Sequence, residues 1–168
     1  ASTTTLLSGL NPLEHGWLGW DLYFKDIDKV VTMFLNTTKD TDILVSEENI
    51  AHKYFSYKSI IDLINEKYKA FKLMPFGDNA YNNLEDLNNK VINLCKEKGK
   101  KFIYAYYDEP DHTTHNEGTD SNIIVKLYEE IDKSTKELCE KLKDTNTLVI
   151  VTADHGHKDI EKAYTLLD

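Results

Sequence analysis

Two apolar runs in the second half of the chain are each followed at once by aspartate and histidine residues, and this pattern constrains the fold most strongly. The runs span 102–107 and 147–152, and their composition predicts buried strands. The polar residues that follow them are Asp111, His112, His115, Asp154, His155 and His157. Because the carboxyl ends of strands form the ligand crevice of an open α/β sheet, we expect these side chains to converge on one edge.

Strands and helices are predicted to alternate along the rest of the chain. Apolar patterning predicts a strand at 30–35, a short extended segment at 72–76, and helices at 57–68, 84–98, about 119–143 and 159–167. The irregular aromatic stretch 17–28 is predicted to be a loop. This alternation predicts an α/β fold with a mainly parallel sheet, and a length of 168 residues predicts one globular unit.

The charge composition limits the partners of the chain. A net charge of -9 would repel a phosphate backbone, so general nucleic-acid binding is not expected. All 20 basic residues are lysines, so bidentate capture of a phosphate by arginine is not available within this sequence. No run approaches the roughly 20 apolar residues that a membrane-spanning helix needs.

The polar residues after the two strands have the chemistry of metal ligands. Asp111 and His115 are separated by one helical turn, so both side chains can reach one ion. Asp154 and His155 are consecutive, and the following Gly156 permits the backbone turn that would direct both to a common site. Carboxylate and imidazole groups bind Zn²⁺, Mn²⁺ or Fe, so the sequence predicts a metal centre.

Three segments resemble one known family. The segments are "YDEPDHTTH" at 107–115, "VTADHGH" at 151–157 and "LLSGLNPLEHGWLGW" at 6–20. Together they are similar, in order, to the motifs of the type I phosphodiesterase/nucleotide pyrophosphatase family of the alkaline phosphatase superfamily. The resemblance implies an α/β three-layer αβα sandwich with a mainly parallel central sheet, of which residues 1–168 would be a single partial catalytic domain.

The resemblance also implies a ligand set and a reaction. Asp111 and His115 would hold the first of two divalent metal ions, and Asp154 and His155 the second, with zinc expected and manganese as the alternative. The substrate would be a small phosphodiester or a nucleotide, hydrolysed through a covalent Thr or Ser intermediate. By motif spacing, the nucleophile and one Asp ligand are expected before Ala1 and a final His ligand after Asp168. The chain by itself is therefore expected to be inactive.

Two other functional classes remain open at this point. The same two-metal frame serves phosphomonoesterases, sulfatases and phosphoglycerate-mutase-like phosphotransferases. The chain contains no Cys-x-Pro-x-Arg segment, which argues against a sulfatase. The other possibility is a non-catalytic domain that retains only a metal-binding or interaction site.

Several further polar and aromatic residues have a structural interpretation that we favour. His112 and His157 are expected to flank the ligands, Asp108 and Glu109 to orient the loop or remain solvated, His15 to stabilise a turn, and His52 to lie on a helix surface. Thr3, Thr4 and Thr5 are expected inside a helix, and Cys95 and Cys139 are expected to be free thiols. The aromatic residues Trp17, Trp20, Tyr23 and Phe24 are expected to form core, although they could line a substrate pocket.

Overall fold

The computed structural model describes residues 1–162. The chain divides into two compact units, Ala1–Lys67 and Tyr68–Asp168, each with its own hydrophobic core. Both α-helices and β-strands are present, which confirms the predicted α/β class. Among the helices of the described residues, none combines the length and apolarity needed to span a membrane.

The first unit combines short helices with a small antiparallel sheet. Its helices are α1 (Ser2–Ser8), α2 (Pro12–His15), α3 (Ile50–Tyr54) and α4 (Ile60–Asn65), and its strands are β1 (Asp21–Phe24), β2 (Lys29–Thr32) and β3 (Thr37–Thr38). The strands pair in the order β1-β2-β3, and a 3-10 turn, Lys25–Ile27, links the first two. The predicted strand and helix at 30–35 and 57–68 are confirmed in shortened form.

The predicted loop at 17–28 is wrong, because Asp21–Phe24 forms β1. The aromatic and polar residues of this stretch show no clear alternation, so local patterning did not reveal the strand. Strand β1 is instead specified by pairing with β2, and Asp21 of β1 adds a side-chain contact to that strand. The Thr32 hydroxyl donates to Asp21 Oδ1 at 2.8 Å. Long-range pairing therefore decides a conformation that the local sequence leaves open.

Helix α2 begins and ends with residues suited to those positions. Asn11 accepts hydrogen bonds from the backbone N–H groups of Leu13 and Glu14, and the Glu14 carboxylate accepts from the Asn11 backbone in return. This reciprocal cap satisfies donors that the first helical turn leaves free. Gly16 ends the helix with φ at 68°, a left-handed conformation that strongly favours glycine.

The core of the first unit is built around Trp17. Its side chain is 2% exposed, and its indole N–H donates to the Phe55 carbonyl at 3.1 Å. Phe24 is also buried, which confirms a core role for two of the four aromatic residues of the stretch. Trp20 and Tyr23 are instead more than half exposed, so the expectation of core does not hold for them.

His15 is buried and uses both ring nitrogens to hold the turn together. Its Nδ1 accepts from the Trp17 backbone N–H at 3.0 Å, and its Nε2 lies 2.9 Å from the Thr5 hydroxyl. The first contact requires an unprotonated Nδ1, so the neutral ring with Nε2–H fits the site. Burial lowers the pKa of His15 from its ordinary value of 6.5. The turn-stabilising role predicted for this histidine is confirmed.

The second unit contains a parallel strand pair with helical connections. Its elements are β4 (Lys69–Leu73), α5 (Leu84–Lys96), β5 (Lys101–Ala105), α6 (Asp111–Glu117) and α7 (Asn122–Leu142). Strands β4 and β5 pair in parallel, with Lys69 opposite Lys101 and Leu73 opposite Ala105. Parallel strands need a crossover, and α5 provides it, in agreement with the predicted helix at 84–98.

Apolar residues of α5 and α7 form the core of the second unit together with β4 and β5. The buried members are Leu73, Tyr81, Leu87, Val91, Ile92 and Leu142. A polar contact also joins the two helices, because the Asn88 amide donates to the Ser134 hydroxyl at 2.7 Å. Cys95 and Cys139 are free thiols, as predicted.

The predicted strand at 147–152 is wrong for this structure. The segment has no regular secondary structure, and Leu148, Ile150 and Val151 are 83, 78 and 71% exposed. Only Val149 packs against the second core. An apolar run becomes a buried strand only when a neighbouring strand and a covering layer are present, and among residues 1–162 this run has neither. The predicted helix at 159–167 is absent from 159–162, and 163–167 lies outside the described residues.

Replacement of Gly16 by alanine should destabilise the first unit more than replacement of Gly9. Both glycines have positive φ, near 70°, so the cost of placing alanine in a left-handed conformation is the same at both positions. A Cβ on Gly16 would lie 2.2 Å from the Phe55 ring, whereas a Cβ on Gly9 would meet nothing within 4 Å. We expect Gly16→Ala to cost roughly 1–3 kcal/mol more than Gly9→Ala in denaturant unfolding. Tryptophan fluorescence reports on this unit because Trp17 and Trp20 are the only tryptophans. Equal costs would contradict the steric argument.

His15 should make the stability of the first unit depend on pH. Because burial lowers its pKa in the folded state, the unfolded chain binds the proton more readily. Its contribution is fully present above the ordinary pKa of 6.5 and is lost as the pH falls from that value toward the lowered folded one. A His15→Asn variant does not titrate at this position. The difference in unfolding free energy between wild type and variant should therefore shrink between about pH 8 and about pH 5.5. A difference that is constant with pH would refute this role.

Candidate metal centre

The turn that leads into α6 is held in place by a tyrosine from the crossover segment. The Tyr81 hydroxyl donates to the Tyr106 carbonyl at 2.9 Å and approaches Asp108 Oδ1 at 3.3 Å. Glu109 Oε2 accepts from the Thr113 backbone N–H at 3.0 Å. Asp108 and Glu109 therefore orient the loop, as expected from their position at the end of a strand. These hydrogen bonds hold the turn in one conformation, and α6 begins directly after it at Asp111.

Helix α6 begins at Asp111 and carries the first pair of predicted ligands. Asp111 Oδ2 lies 3.5 Å from His115 Nε2, the separation expected for side chains one turn apart on the same helix face. The His115 side chain is 77% exposed, against 39% for Asp111. His112, which is adjacent to Asp111 in sequence, is exposed, in agreement with its predicted solvated role.

The second pair of predicted ligands lies close to the first. His155 Nε2 is 3.8 Å from Asp111 Oδ1 and 3.7 Å from Asp154 Oδ1. The other ring nitrogen of His155 lies 3.1 Å from the Gly156 carbonyl. The four residues predicted from the sequence, Asp111, His115, Asp154 and His155, are thus linked by consecutive contacts shorter than 4 Å.

His157 is closer to this group than the sequence reasoning expected. Its Nε2 lies 3.0 Å from Asp111 Oδ1, and its Nδ1 lies 3.4 Å from the Tyr128 hydroxyl of α7. The sequence contains a signal that could have suggested this placement. In an extended segment, residues two positions apart share a face, so His155 and His157 can be directed to the same side.

The donor atoms of this group fit a divalent metal ion. One ligand atom each from Asp111, His155 and His157 lie within 4.8 Å of one another. With bonds near 2.05 Å, tetrahedral zinc requires separations of about 3.3 Å between ligand atoms. The two separations from Asp111 Oδ1, 3.0 and 3.8 Å, bracket that value. Asp111, His155 and His157 therefore form a candidate Asp/His metal site.

Two tyrosines near this site are held in the protonated form. Burial raises the pKa of Tyr104 to about 12, with smaller contributions from Tyr106 and the Asp154 carboxylate. Burial likewise raises the pKa of Tyr106, followed by the charges of Asp154 and Asp111. At neutral pH both hydroxyls are uncharged, so they can serve as hydrogen-bond donors.

An open cavity lies beside the cluster. Its volume is about 290 Å³, and Asp111, His115, His157 and Lys158 contribute to its lining. Thr114 also lines the cavity, and its hydroxyl donates to the Pro110 carbonyl at 2.7 Å. The cavity therefore combines acidic, imidazole and ammonium groups in a volume comparable to that of small-molecule sites.

The family model described as "Type I phosphodiesterase / nucleotide pyrophosphatase" matches residues 1–168. The match extends over the whole of the given sequence and includes all three motifs. The chain belongs to the type I phosphodiesterase/nucleotide pyrophosphatase family, which confirms the resemblance carried by its three motifs.

The chain is similar in part to two kinds of curated protein, a phosphodiesterase and a phosphoglycerate mutase. The chain is 36% identical over 75 residues to venom phosphodiesterase 2 of Crotalus adamanteus. The matched segment covers 42% of this chain and 9% of that protein. It is 29% identical over 73 residues to the 2,3-bisphosphoglycerate-independent phosphoglycerate mutase of Antithamnion sp., covering 44% of this chain and 14% of that protein. The chain thus spans only a small part of the length of these relatives.

Solved structures share the fold of the chain. Murine ectonucleotide pyrophosphatase/phosphodiesterase 5 matches with a TM-score of 0.62 and 21% identity, over 84% of this chain and 40% of that one. An inactive variant of the same murine protein in complex with AMP matches equally well. At this level of identity the likeness establishes the fold, and it agrees with the predicted alkaline phosphatase-like architecture.

Removal of the Asp111 charge should weaken zinc binding. His115, His155 and His157 all approach this carboxylate, so it is the most connected donor of the group. We expect Asp111→Asn to lower Zn²⁺ affinity by at least about 10-fold, measured by competition with a chromophoric chelator. Asp120→Asn is the matched control, since Asp120 is exposed and is not a member of the cluster. Equal affinities of the two variants would contradict the assigned site.

Proposed function

We propose that the full-length protein hydrolyses phosphodiester or nucleotide pyrophosphate bonds with two divalent metal ions, zinc or alternatively manganese, held in part by Asp111, His115, Asp154 and His155. The observation that carries this proposal is that the Asp111 carboxylate lies close to its own partner, His115, and also to His155 of the second predicted pair. Its Oδ2 faces His115 at 3.5 Å, and its Oδ1 faces His155 at 3.8 Å. Membership of the phosphodiesterase/pyrophosphatase family supports the same reaction class.

The side chains of this site are suited to binding cations and an anionic substrate. Bound divalent ions would lower the pKa of an attacking hydroxyl and offset negative charge on the phosphorus oxygens. The contact of His155 Nδ1 with the Gly156 carbonyl favours the tautomer that carries its proton on Nδ1. Its Nε2 lone pair is then available on the side that faces Asp111 and Asp154. Lys158 supplies a cation in the adjoining cavity.

We infer that the reaction proceeds through a covalent intermediate on a Thr or Ser hydroxyl. The hydroxyl oxygen forms a bond to phosphorus as the bond to the leaving group breaks, and water then cleaves the new ester. Of the hydroxyls in this chain, Thr114 is engaged with the Pro110 carbonyl. Thr3, Thr4 and Thr5 lie inside α1, as predicted. We therefore do not expect any of these four hydroxyls to be the nucleophile.

A nucleotide is the substrate class that we favour. The murine structural relative was solved in complex with AMP, which shows that this fold accommodates a nucleoside monophosphate in that protein. The cavity beside the cluster, about 290 Å³, is at the lower end of the size of ligand sites. It would accommodate a phosphoryl group and part of a sugar more readily than a polymer.

A phosphotransferase is the second candidate function. The match over 73 residues to a protein named as a phosphoglycerate mutase favours it, because a mutase transfers a group and does not hydrolyse a bond. The two functions differ in the required acceptor. Release of inorganic phosphate or of a nucleotide from a diester distinguishes hydrolysis from transfer.

Replacement of a predicted ligand should abolish turnover in the full-length protein. We expect Asp154→Ala and His155→Ala each to lower kcat/KM for an aryl phosphodiester by more than about 100-fold at saturating Zn²⁺. The matched control is His112→Ala, since His112 is exposed beside Asp111 but outside the cluster. Far-ultraviolet circular dichroism checks that each variant is folded.

The same assay discriminates the alternatives. Turnover of a phosphoglycerate with no diester cleavage would favour the phosphotransferase, and full activity of the Asp154 and His155 variants would remove these residues from the mechanism. The 168-residue chain itself is expected to show no turnover. Comparable rates for the chain and the full-length protein would instead identify a nucleophile within the chain and direct mutagenesis to Thr3, Thr4 and Thr5.

A further inference from the structure

We propose that His157 is a direct ligand in this metal centre, bound on the side of the Asp111 carboxylate that also faces His155, in addition to the four ligands assigned above. This inference rests on the proposed metal-dependent function. It adds a ligand that the family resemblance does not imply, since the resembling motif ends in an Asp-His-Gly whose Asp and His are the assigned ligands.

The distances favour His157 as strongly as any predicted ligand. Its Nε2 is the imidazole nitrogen nearest to the central carboxylate, at 3.0 Å from Asp111 Oδ1, compared with 3.8 Å for His155. Both nitrogens face the same carboxylate oxygen, and all three ligand atoms lie within 4.8 Å of one another. His115 approaches the opposite oxygen, so the His155 and His157 side of Asp111 forms a distinct half of the centre.

In both His155 and His157, the ring nitrogen Nδ1, which is not the one that faces Asp111, has an oxygen partner. A metal-bound histidine usually donates its second ring N–H to a carbonyl, carboxylate, hydroxyl or water, which fixes the tautomer and the ring orientation. His157 Nδ1 lies 3.4 Å from the Tyr128 hydroxyl, and His155 Nδ1 lies 3.1 Å from the Gly156 carbonyl. In this arrangement both Nε2 lone pairs are directed to the shared space, and Tyr128 acts as a positioning residue.

A backbone anchor holds His157 at its distance from Asp111. Asp159 Oδ1 accepts from the Thr119 backbone N–H at 2.8 Å, just beyond the end of α6. A Cβ on Gly118 would lie only 3.5 Å from the same oxygen, which shows how closely the two segments approach. The His157 side chain is accordingly 20% exposed, whereas that of His115 is 77% exposed. Much of the ordering that metal binding demands is therefore already present at His157.

The competing explanation is a simple hydrogen bond from the imidazole to the carboxylate. In that case His157 carries its proton on Nε2 and donates it to Asp111, while Nδ1 accepts from Tyr128. A metal ligand instead has the proton on Nδ1 and a bare Nε2. The two explanations thus predict opposite tautomers of the same ring.

Nuclear magnetic resonance of the protein labelled with ¹⁵N-histidine distinguishes them. Two-bond ¹H–¹⁵N spectra report the protonation of each ring nitrogen, and the six histidines are assigned with single His→Gln variants. On addition of Zn²⁺ we expect the Nε2 signals of His155 and His157 to shift together and the proton of His157 to reside on Nδ1. His112 should not respond. If His157→Gln does not fold, its signal is assigned by elimination from the other five variants.

The possible outcomes separate this inference from the proposed function. A Zn²⁺ response of His155 without one of His157 would overturn the His157 assignment and leave the metal-dependent function standing. A spectrum in which no histidine of the cluster responds would overturn both. As a second measurement, His157→Gln should lower Zn²⁺ affinity at least about 10-fold while His112→Gln leaves it unchanged, and Tyr128→Phe should cause a smaller loss. Unchanged affinity in His157→Gln would also overturn the assignment.

Discussion

The carboxylate of Asp111 is the point on which the candidate site depends. It begins α6, and its two oxygens face imidazoles that come from α6 itself and from a segment about 40 residues later in the chain. Without a carboxylate at this position, the three imidazoles would have no shared partner. The position of Asp111 depends in turn on the turn held by Tyr81, and Tyr81 is anchored in the core of the second unit. Packing of the parallel strand pair therefore determines the geometry of the polar site.

The sequence allowed the broad organisation of the second unit to be predicted, because that organisation is recorded in local periodicity. The helices α5 and α7 and the strand β5 were expected from apolar spacing, and all three were found with bounds shifted by a few residues. Residues whose conformation depends on distant partners were predicted less well. The local sequence of Asp21–Phe24 predicts a loop, because the segment lacks apolar alternation and its strand conformation comes from pairing with Lys29–Thr32. The run 147–152 predicts a strand, because apolar composition indicates burial, but composition does not supply a neighbouring strand.

The candidate ligands show the same division between local and distant information. Asp111 and His115 could be paired from sequence because a helix fixes the relation between positions four apart. Asp154 and His155 required the resemblance as well, because consecutive residues converge only if the backbone turns. His157 was underestimated, because its placement depends on Tyr128 in α7 and on the contact of Asp159 with Thr119. None of these contacts follows from the spacing of the motif.

A comparison of His15 with His157 shows how the environment separates a structural role from a ligand role. Both nitrogens of His15 are matched by groups that fit one neutral tautomer, and the ring is almost fully buried. A cation there would have to displace the Trp17 backbone N–H or the Thr5 hydroxyl, and among residues 1–162 no carboxylate hydrogen-bonds to the ring. His157 has one nitrogen at a hydroxyl and the other at a partly exposed carboxylate shared with His155. That side offers negative charge, a second imidazole and access from the cavity, which are the conditions for exchanging a proton for a metal ion. Residue type alone would rank the two equally, whereas the charge and access around each ring make only His157 a candidate ligand.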